Sequence, residues 1–384
     1  MGATVSRTSC LSSAWATMLE ASTGCEKPMS IHRIVAIMSA VLLPWATAQA
    51  IDGPGLAAAQ HIAYPAVIAH RGASFDAPES TAAAYALARE LGADYLELDL
   101  QRSSDGALVA LHDSNLLRTS DVAQRFPERK DRPVSAFTLA ELKTLDMGTW
   151  FNQAYPARAR LAYAGLQILT LDEVLDIAEA NPQRVPGLYI ETKAPKLFPG
   201  IEQDLHDRLK ARGWLDMPGR VVLQTFDRDS LALLHSIMPQ VPKTLLLWLG
   251  KGYVEPAEAQ TFAESGETDR AAFLARQHPK DNAEFERWLD YAKAGGAIGV
   301  GASVALTGGG DQSYANLVQP SMIWKAHDKG LLVHAYTVDL PVDFQKVLTA
   351  GADGIFTNRS GELLRFLGRS LPQDEAPILE SLGY

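Results

Sequence analysis

From Ala66 onward, short runs of apolar and β-branched residues alternate with longer segments whose apolar positions recur every three to four residues. The short runs predict strands over 66–70, 94–100, 187–193, 221–226, 244–249, 297–303, 331–338 and 354–357. The longer segments predict helices near 80–91, 171–180, 201–212, 228–237, 284–294, 321–329 and 342–350. A strand followed by a helix, repeated, is the pattern of βαβ units, whose strands lie parallel and are covered on both faces. Eight such units close into a barrel. The expected fold is therefore α/β, a TIM (β/α)8 barrel. Two stretches interrupt the rhythm. Residues 101–170 contain an extra strand, 107–112, after the turn Ser104-Asp105-Gly106, and a helix near 139–145. This predicts a small subdomain inserted after the second strand, over about 113–165. Residues 250–283 read as a long polar, partly helical loop. Neither has linker composition, so 51–384 is expected to form one domain.

The first fifty residues follow another logic. Met29 is followed by His32 and Arg33, then the apolar run Ile34–Pro44, then Ala48-Gln49-Ala50. A basic start, a short apolar run and a small-x-small end form the pattern of a secretory signal peptide over 29–50. The run is shorter than the ~20 residues that span a bilayer, so no stable membrane span is expected after processing. Residues 1–28 are expected to be an extension that is not part of the working protein. Both cysteines, Cys10 and Cys25, fall in the part to be removed, which leaves no disulfide or thiol chemistry. The expected location is outside the cytoplasm, periplasmic or secreted.

Composition narrows the function. Of the 384 residues, 47% are hydrophobic and 21% charged, enough apolar material for a large core. A formal net charge of −10 argues against a nucleic-acid surface, which needs clustered cations. The informative polar groups lie where strands end. The apolar run Ala66–Ala69 stops at His70-Arg71-Gly72, and a barrel strand's C-terminal end faces the mouth where catalytic groups collect. Glu97 and Asp99 are two apart on the next strand and so share one face. Like charges this close in a buried strand call for a cation or a proton between them. Glu191 and Lys193 repeat the spacing, and a third carboxylate would complete an oxygen site for one divalent ion. A plain Glu191–Lys193 salt bridge is the alternative. Gln224 with Phe226, and His334 with Tyr336, extend the i, i+2 pattern to four strands. His112 ends the extra strand, where it either acts chemically or is structural, and Asp113 can orient it or simply cap the next turn. Glu79, after Pro78, either reaches the mouth or begins a helix. His61, His206, His235, His278 and His327 are expected on the surface.

With these residues assembled, the chain resembles the glycerophosphodiester phosphodiesterase family. The resemblance rests on an ordered series: His70-Arg71-Gly72-Ala73-Ser74, Ala77-Pro78-Glu79-Ser80-Thr81, Glu97-Leu98-Asp99, Asp105-Gly106, His112-Asp113, Glu191-Thr192-Lys193, Gln224-Thr225-Phe226 and Asp353-Gly354-Ile355-Phe356-Thr357-Asn358. It runs from about Ala66 to Arg359, and members of the exported branch look most similar. The resemblance implies a TIM barrel and a divalent ion, calcium favoured and magnesium possible, on Glu97, Asp99 and Glu191. It implies acid–base roles for His70 and His112. Arg71 and Lys193 would face the phosphate, with Gln224, Phe226 and Tyr336 against the substrate. Three positions depart from the usual pattern. Ser80 stands where asparagine is common, Leu117 where an aspartate often precedes the arginine, and Tyr336 where tryptophan is frequent. These bear on substrate fit rather than on the chemistry.

The expected reaction is hydrolysis of a glycerophosphodiester to sn-glycerol 3-phosphate and an alcohol. The alternative is a lysophospholipid or sphingolipid phosphodiesterase or lyase of the sphingomyelinase D-like branch. A non-catalytic phosphoester-binding protein is a third reading, disfavoured because both histidines and all three carboxylates are present.

Overall fold

The computed structural model describes residues 52–258 and 260–384; the leader and extension expected over 1–50 lie outside them. Nine strands occur among these residues: β1 (Ala66–Ala69), β2 (Tyr95–Arg102), β3 (Leu108–Ala110), β4 (Gly187–Thr192), β5 (Val221–Thr225), β6 (Lys243–Leu247), β7 (Gly299–Ser303), β8 (Leu332–Tyr336) and β9 (Gly354–Thr357). The sheet order is β1-β9-β8-β7-β6-β5-β4-β2-β3, and β1 also pairs with β2. That last pairing closes eight parallel strands into a barrel. β3 stands outside it, antiparallel to the end of β2. No helix among the described residues is long and apolar enough to cross a membrane.

The strands form where the pattern places them because both of their faces are covered. Every residue of β1, β4, β5, β6, β7 and β9 is buried. The intervening helices carry their own boundary signals. Thr170 and Glu173 make a capping box at Leu171–Glu179, and the Asp227 carboxylate accepts from the N–H groups of Asp229 and Ser230 to start Arg228–Ile237. Gly92, at φ 91°, ends Ala82–Leu91.

Three helices were not anticipated: Gly53–Ala59 before the barrel, and Ser360–Phe366 and Glu375–Ser381 after it. Each is only seven residues long, too short for a clear 3.6-residue period. The segment between β3 and β4 contains short helical pieces at Val122–Arg125, Leu139–Leu142 and Thr149–Ala154. Its side chains Leu116, Phe137, Leu145, Phe151 and Tyr163 belong to the same hydrophobic core as the helices around the barrel. The polar stretch 250–283 holds two short helices, Phe262–Ser265 and Arg270–Arg276.

Inside the barrel, inward-facing residues stack in layers with period two. Ile68, Tyr95, Tyr189, Val222, Leu332 and Phe356 form a separate apolar cluster. Tyr189 is its hub. Its ring lies 4.9 Å from Phe356 and 5.8 Å from Tyr95, centroid to centroid, both edge-on. Its hydroxyl bonds Thr244 Oγ1 at 3.0 Å and His334 Nδ1 at 2.9 Å. This layer plugs the barrel one step below Glu191, which is two residues further along β4. His334 belongs to the plug and is 1% exposed, so the expectation that it shares a pocket with Tyr336 is corrected. Tyr189→Ala would open a cavity and strand two polar groups. It is expected to cost about 3–5 kcal/mol in equilibrium urea unfolding; a loss below about 1 kcal/mol would show that the plug does not hold the barrel closed.

Candidate active site

β1 ends in an abrupt turn that aims two side chains at the barrel mouth. Arg71 takes a left-handed conformation (φ 57°), and Gly72 follows at φ 86° with its Cα packed on the helix Ala82–Leu91. A Cβ at Gly72 would lie 2.6 Å from the Ala84 carbonyl carbon, so only glycine fits. The turn is tied to β2 by the Arg71 N–H, which donates to Glu97 Oε2 at 2.8 Å. It is tied to β9 through Asn358. His70 Nδ1 donates to Asn358 Oδ1 at 2.8 Å, and Asn358 Nδ2 donates to Asp339 Oδ2 at 2.7 Å. The tautomer this assigns leaves His70 Nε2 as the free nitrogen.

The carboxylates meet on the neighbouring strands. The parallel register sets Asp99 beside Glu191, and Glu191 beside Gln224. One oxygen from each of Glu97, Asp99 and Glu191 falls within 4.8 Å of the others, and all three residues are buried. Lys193 Nζ lies 3.2 Å from both Asp99 Oδ1 and Glu191 Oε2, so the salt bridge expected as an alternative is also present. Gln224 Nε2 donates to Glu97 Oε1 at 3.1 Å. Arg71 Nε sits 3.4 Å from Asp99 Oδ2.

Two cations do not compensate three buried anions. Burial and the neighbouring Asp99 push the Glu97 carboxyl well above the usual range, and burial pushes Glu191 up to about 8 against the pull of Lys193. Asp99 resists burial and is held well below its usual value by Lys193, His112 and Arg71. Asp99 Oδ2 and Gln224 Oε1 are buried without hydrogen-bond partners. Three converging carboxyl groups, two of them pushed toward the protonated form for want of counter-charge, and an unsatisfied Asp99 oxygen fit a hard divalent cation.

His112 stands at the end of β3, its Nδ1 2.8 Å from Asp113 Oδ1. Burial lowers its pKa; burial and the adjacent Arg71 guanidinium push His70 down to about 3. Both imidazoles are therefore neutral near pH 7. Glu79, left open between a mouth and a helix role, belongs to the mouth: its Oε1 accepts from Arg71 Nη1 at 2.9 Å.

One cavity of about 100 Å³ is lined by His70, Arg71, Glu97, Asp99, His112, Glu191, Lys193, Gln224, Phe226 and Tyr336, every position singled out from the sequence. One half is ionic. The other is aromatic: Phe226 packs edge-on against Tyr336, with ring centroids 6.2 Å apart. The Tyr336 hydroxyl donates to Leu247 O at 2.6 Å, so only its ring is offered to a ligand. Trp248, Tyr314 and Gln312 also line the cavity and were not anticipated. Trp248 follows the i, i+2 rule from Leu246 and could have been found that way. Tyr314 and Gln312 come from the loop after β7, which no strand rule reaches. Asn358, quoted in a motif but given no role, holds His70. Of the histidines expected on the surface, His206 and His327 are partly buried, and His327 bonds Asp353 Oδ2 at 2.8 Å.

The family model for the glycerophosphoryl diester phosphodiesterase family matches residues 70–362. A glycerophosphodiester phosphodiesterase of Bacillus subtilis is 36% identical over 294 residues, covering 76% of this chain and 82% of the relative. Among solved structures, an Oleispira antarctica phosphodiesterase in complex with its product sn-glycerol-3-phosphate superposes with a TM-score of 0.55 at 22% identity, covering 79% of this chain and 97% of that one. A glycerophosphodiester phosphodiesterase of Agrobacterium tumefaciens gives 0.51 at 22% identity, covering 77% and 97%. These structures share the barrel.

Glu79 gives this site a pH signature. Against burial, Arg71 and Arg118 lower its carboxyl from 4.5 to about 2. A depressed folded-state pKa contributes stability that is complete above 4.5 and is lost as pH falls toward 2. Glu79→Gln is therefore expected to flatten the loss of stability between those pH values by about 2–3 kcal/mol. Parallel acid unfolding curves for variant and parent would contradict this placement of the charge.

Proposed function

The chain belongs to the glycerophosphoryl diester phosphodiesterase family, and on that premise we propose that it hydrolyses glycerophosphodiesters to sn-glycerol 3-phosphate and an alcohol by two-histidine acid–base catalysis. The observation that carries this reading is the shared cavity, in which both imidazoles, both cations and three carboxylates line one small space.

Glu97, Asp99 and Glu191 would hold one divalent cation, calcium favoured and magnesium possible, which when bound polarises a phosphoryl oxygen and lowers the pKa of a nearby hydroxyl. The chain's own groups supply the rest. Arg71 offers a planar fork to two phosphate oxygens, and Lys193 a point charge to a third. Both stand ready to offset the charge that grows on phosphorus-bound oxygens as the leaving bond breaks. His70 and His112 present their Nε2 atoms, because each Nδ1 is occupied by Asn358 or Asp113. One ring takes the proton from the attacking hydroxyl on its bare Nε2; the other enters the reaction as the imidazolium, its extra Nε2 proton taken from solvent when the anionic phosphate binds, and gives that proton to the departing alkoxide. Phe226 and Tyr336 pack on the carbon skeleton and keep water off that side.

The lyase reading on lysophospholipids is not favoured. The matching family and the Bacillus relative are both glycerophosphodiester phosphodiesterases. The pattern from Met29 to Ala50 supports an exported enzyme whose working part is the single domain 51–384, with the span 113–165 as its inserted piece.

His70→Ala and His112→Ala are each expected to lower turnover of glycerophosphocholine by at least ~10² with the far-ultraviolet circular dichroism unchanged. Full activity in either would remove the two-histidine mechanism. A chelator should abolish activity and lower the melting temperature, and calcium or magnesium should restore both. A melting temperature indifferent to chelator and to added cation would empty the proposed metal site.

A further inference from the structure

Resting on the hydrolase reading, we infer that Arg118 is a positioning residue that sets His112 and Arg71 together through a single guanidinium. It touches neither the cavity nor any group expected to meet the substrate. Its four contacts all go to the carboxylates that stand behind those two residues. Nε donates to Asp113 Oδ2 at 2.7 Å and Nη2 to Asp113 Oδ1 at 3.0 Å. Nη1 donates to Glu79 Oε2 at 2.7 Å and Nη2 to Glu79 Oε1 at 2.7 Å. The guanidinium thus forks onto one carboxylate along each of two edges, and Nη2 serves both.

The oxygens it grips are the working ones. Asp113 Oδ1 also receives His112 Nδ1, and Glu79 Oε1 also receives Arg71 Nη1. A continuous path runs from His112 through Asp113, Arg118 and Glu79 to Arg71, and on to Asp99. Remove the guanidinium and the two carboxylates lose the one cation they share. Asp113 is then free to swing and lets the His112 ring turn. Glu79 keeps Arg71 as its only partner and draws it away from the cavity.

An exposed ion pair is usually worth little. Arg118 differs in geometry: both forks are bidentate, and the Glu79 side chain is only 13% exposed. The Arg118 side chain is itself 44% exposed, with Cζ 5.6 Å from the Trp150 ring centroid, so the four hydrogen bonds to two carboxylates, rather than burial of the guanidinium, set it apart. Lysine carries the same charge but cannot fork onto two carboxylates.

The test is turnover of glycerophosphocholine by the parent, Arg118→Met and Arg118→Lys, with and without added guanidinium or ammonium. Both variants should lose about 10- to 100-fold in kcat/KM, the scale seen when the partners that orient a working ligand are removed. Guanidinium should restore much of the loss in Arg118→Met, and ammonium should not. In a background of Glu79→Gln with Asp113→Asn, which removes both acceptors, Arg118→Met should cost no more than about threefold further. If Arg118→Met fails to fold, Arg118→Lys decides alone by its loss. Retention of activity by Arg118→Lys within about threefold of the parent, failure of guanidinium rescue, or full additivity in the double-acceptor background would each overturn the inference. A parent that turns over no glycerophosphodiester sinks the hydrolase reading and this role with it; an active parent with an unimpaired Arg118→Lys sinks this role alone.

Discussion

The structure is organised around three carboxylates that would repel one another in any conformation that buried them together without compensation. Glu97, Asp99 and Glu191 sit on adjacent parallel strands, and the register that pairs Asp99 with Glu191 leaves no freedom to separate them. Burying like charges this closely is unfavourable by several kcal/mol unless opposite charge is brought to the same place. Lys193 supplies it from just past the end of β4, two residues after Glu191, and Arg71 from the turn after β1, which pairs with β2. The remaining surplus falls on Glu97 and Glu191, whose carboxyls are pushed toward the protonated form. The fold tolerates this arrangement because the barrel is closed and plugged directly beneath it.

That plug explains how a polar site can lie over an apolar interior without flooding it. Tyr189 alternates with Glu191 on β4, so the strand's own period puts an aromatic ring under a carboxylate. The ring turns its hydroxyl toward Thr244 and His334, and the partners are fully buried. The apolar layer and the polar layer are therefore two readings of the same strands, one residue pair apart.

The same periodicity decides what was legible in the sequence. Strands buried on both faces appear as unbroken apolar runs, so their positions could be read to within a residue or two, as with Gly187–Thr192 and Gly354–Thr357. Residues at or just past strand ends, such as His70 and Glu191, could be nominated because a barrel strand's C-terminal end has one exposed direction, and Glu97 because it shares a face with Asp99. Tyr314 and Gln312 could not. They reach the cavity on a loop whose course is set by tertiary contacts, among them Thr307 on Asp343 and Arg270 on the Ser313 carbonyl. The helices Gly53–Ala59 and Glu375–Ser381 escaped for a different reason: seven residues hold too few turns to show a period. His334 was misplaced because alternation reports which face a side chain occupies but not its depth along the barrel.

Depth and orientation depend on closure. His70 is oriented by Asn358, 288 positions away, and Asn358 is fixed in turn by Asp339. β1 and β9 must pair before that hydrogen bond exists, since Ala69 lies beside Thr357 in the ladder. His112 needs no such event, because its carboxylate partner is the next residue. The two imidazoles therefore acquire their orientation by different routes, one local and one at the last seam of the barrel. A chain with an open β1–β9 seam would keep its carboxylates, which lie on the paired strands β2 and β4, yet it would lose the orientation of the His70 ring. The orientation of His70, rather than the meeting of the three carboxylates, is thus the feature of the site most sensitive to completion of the fold.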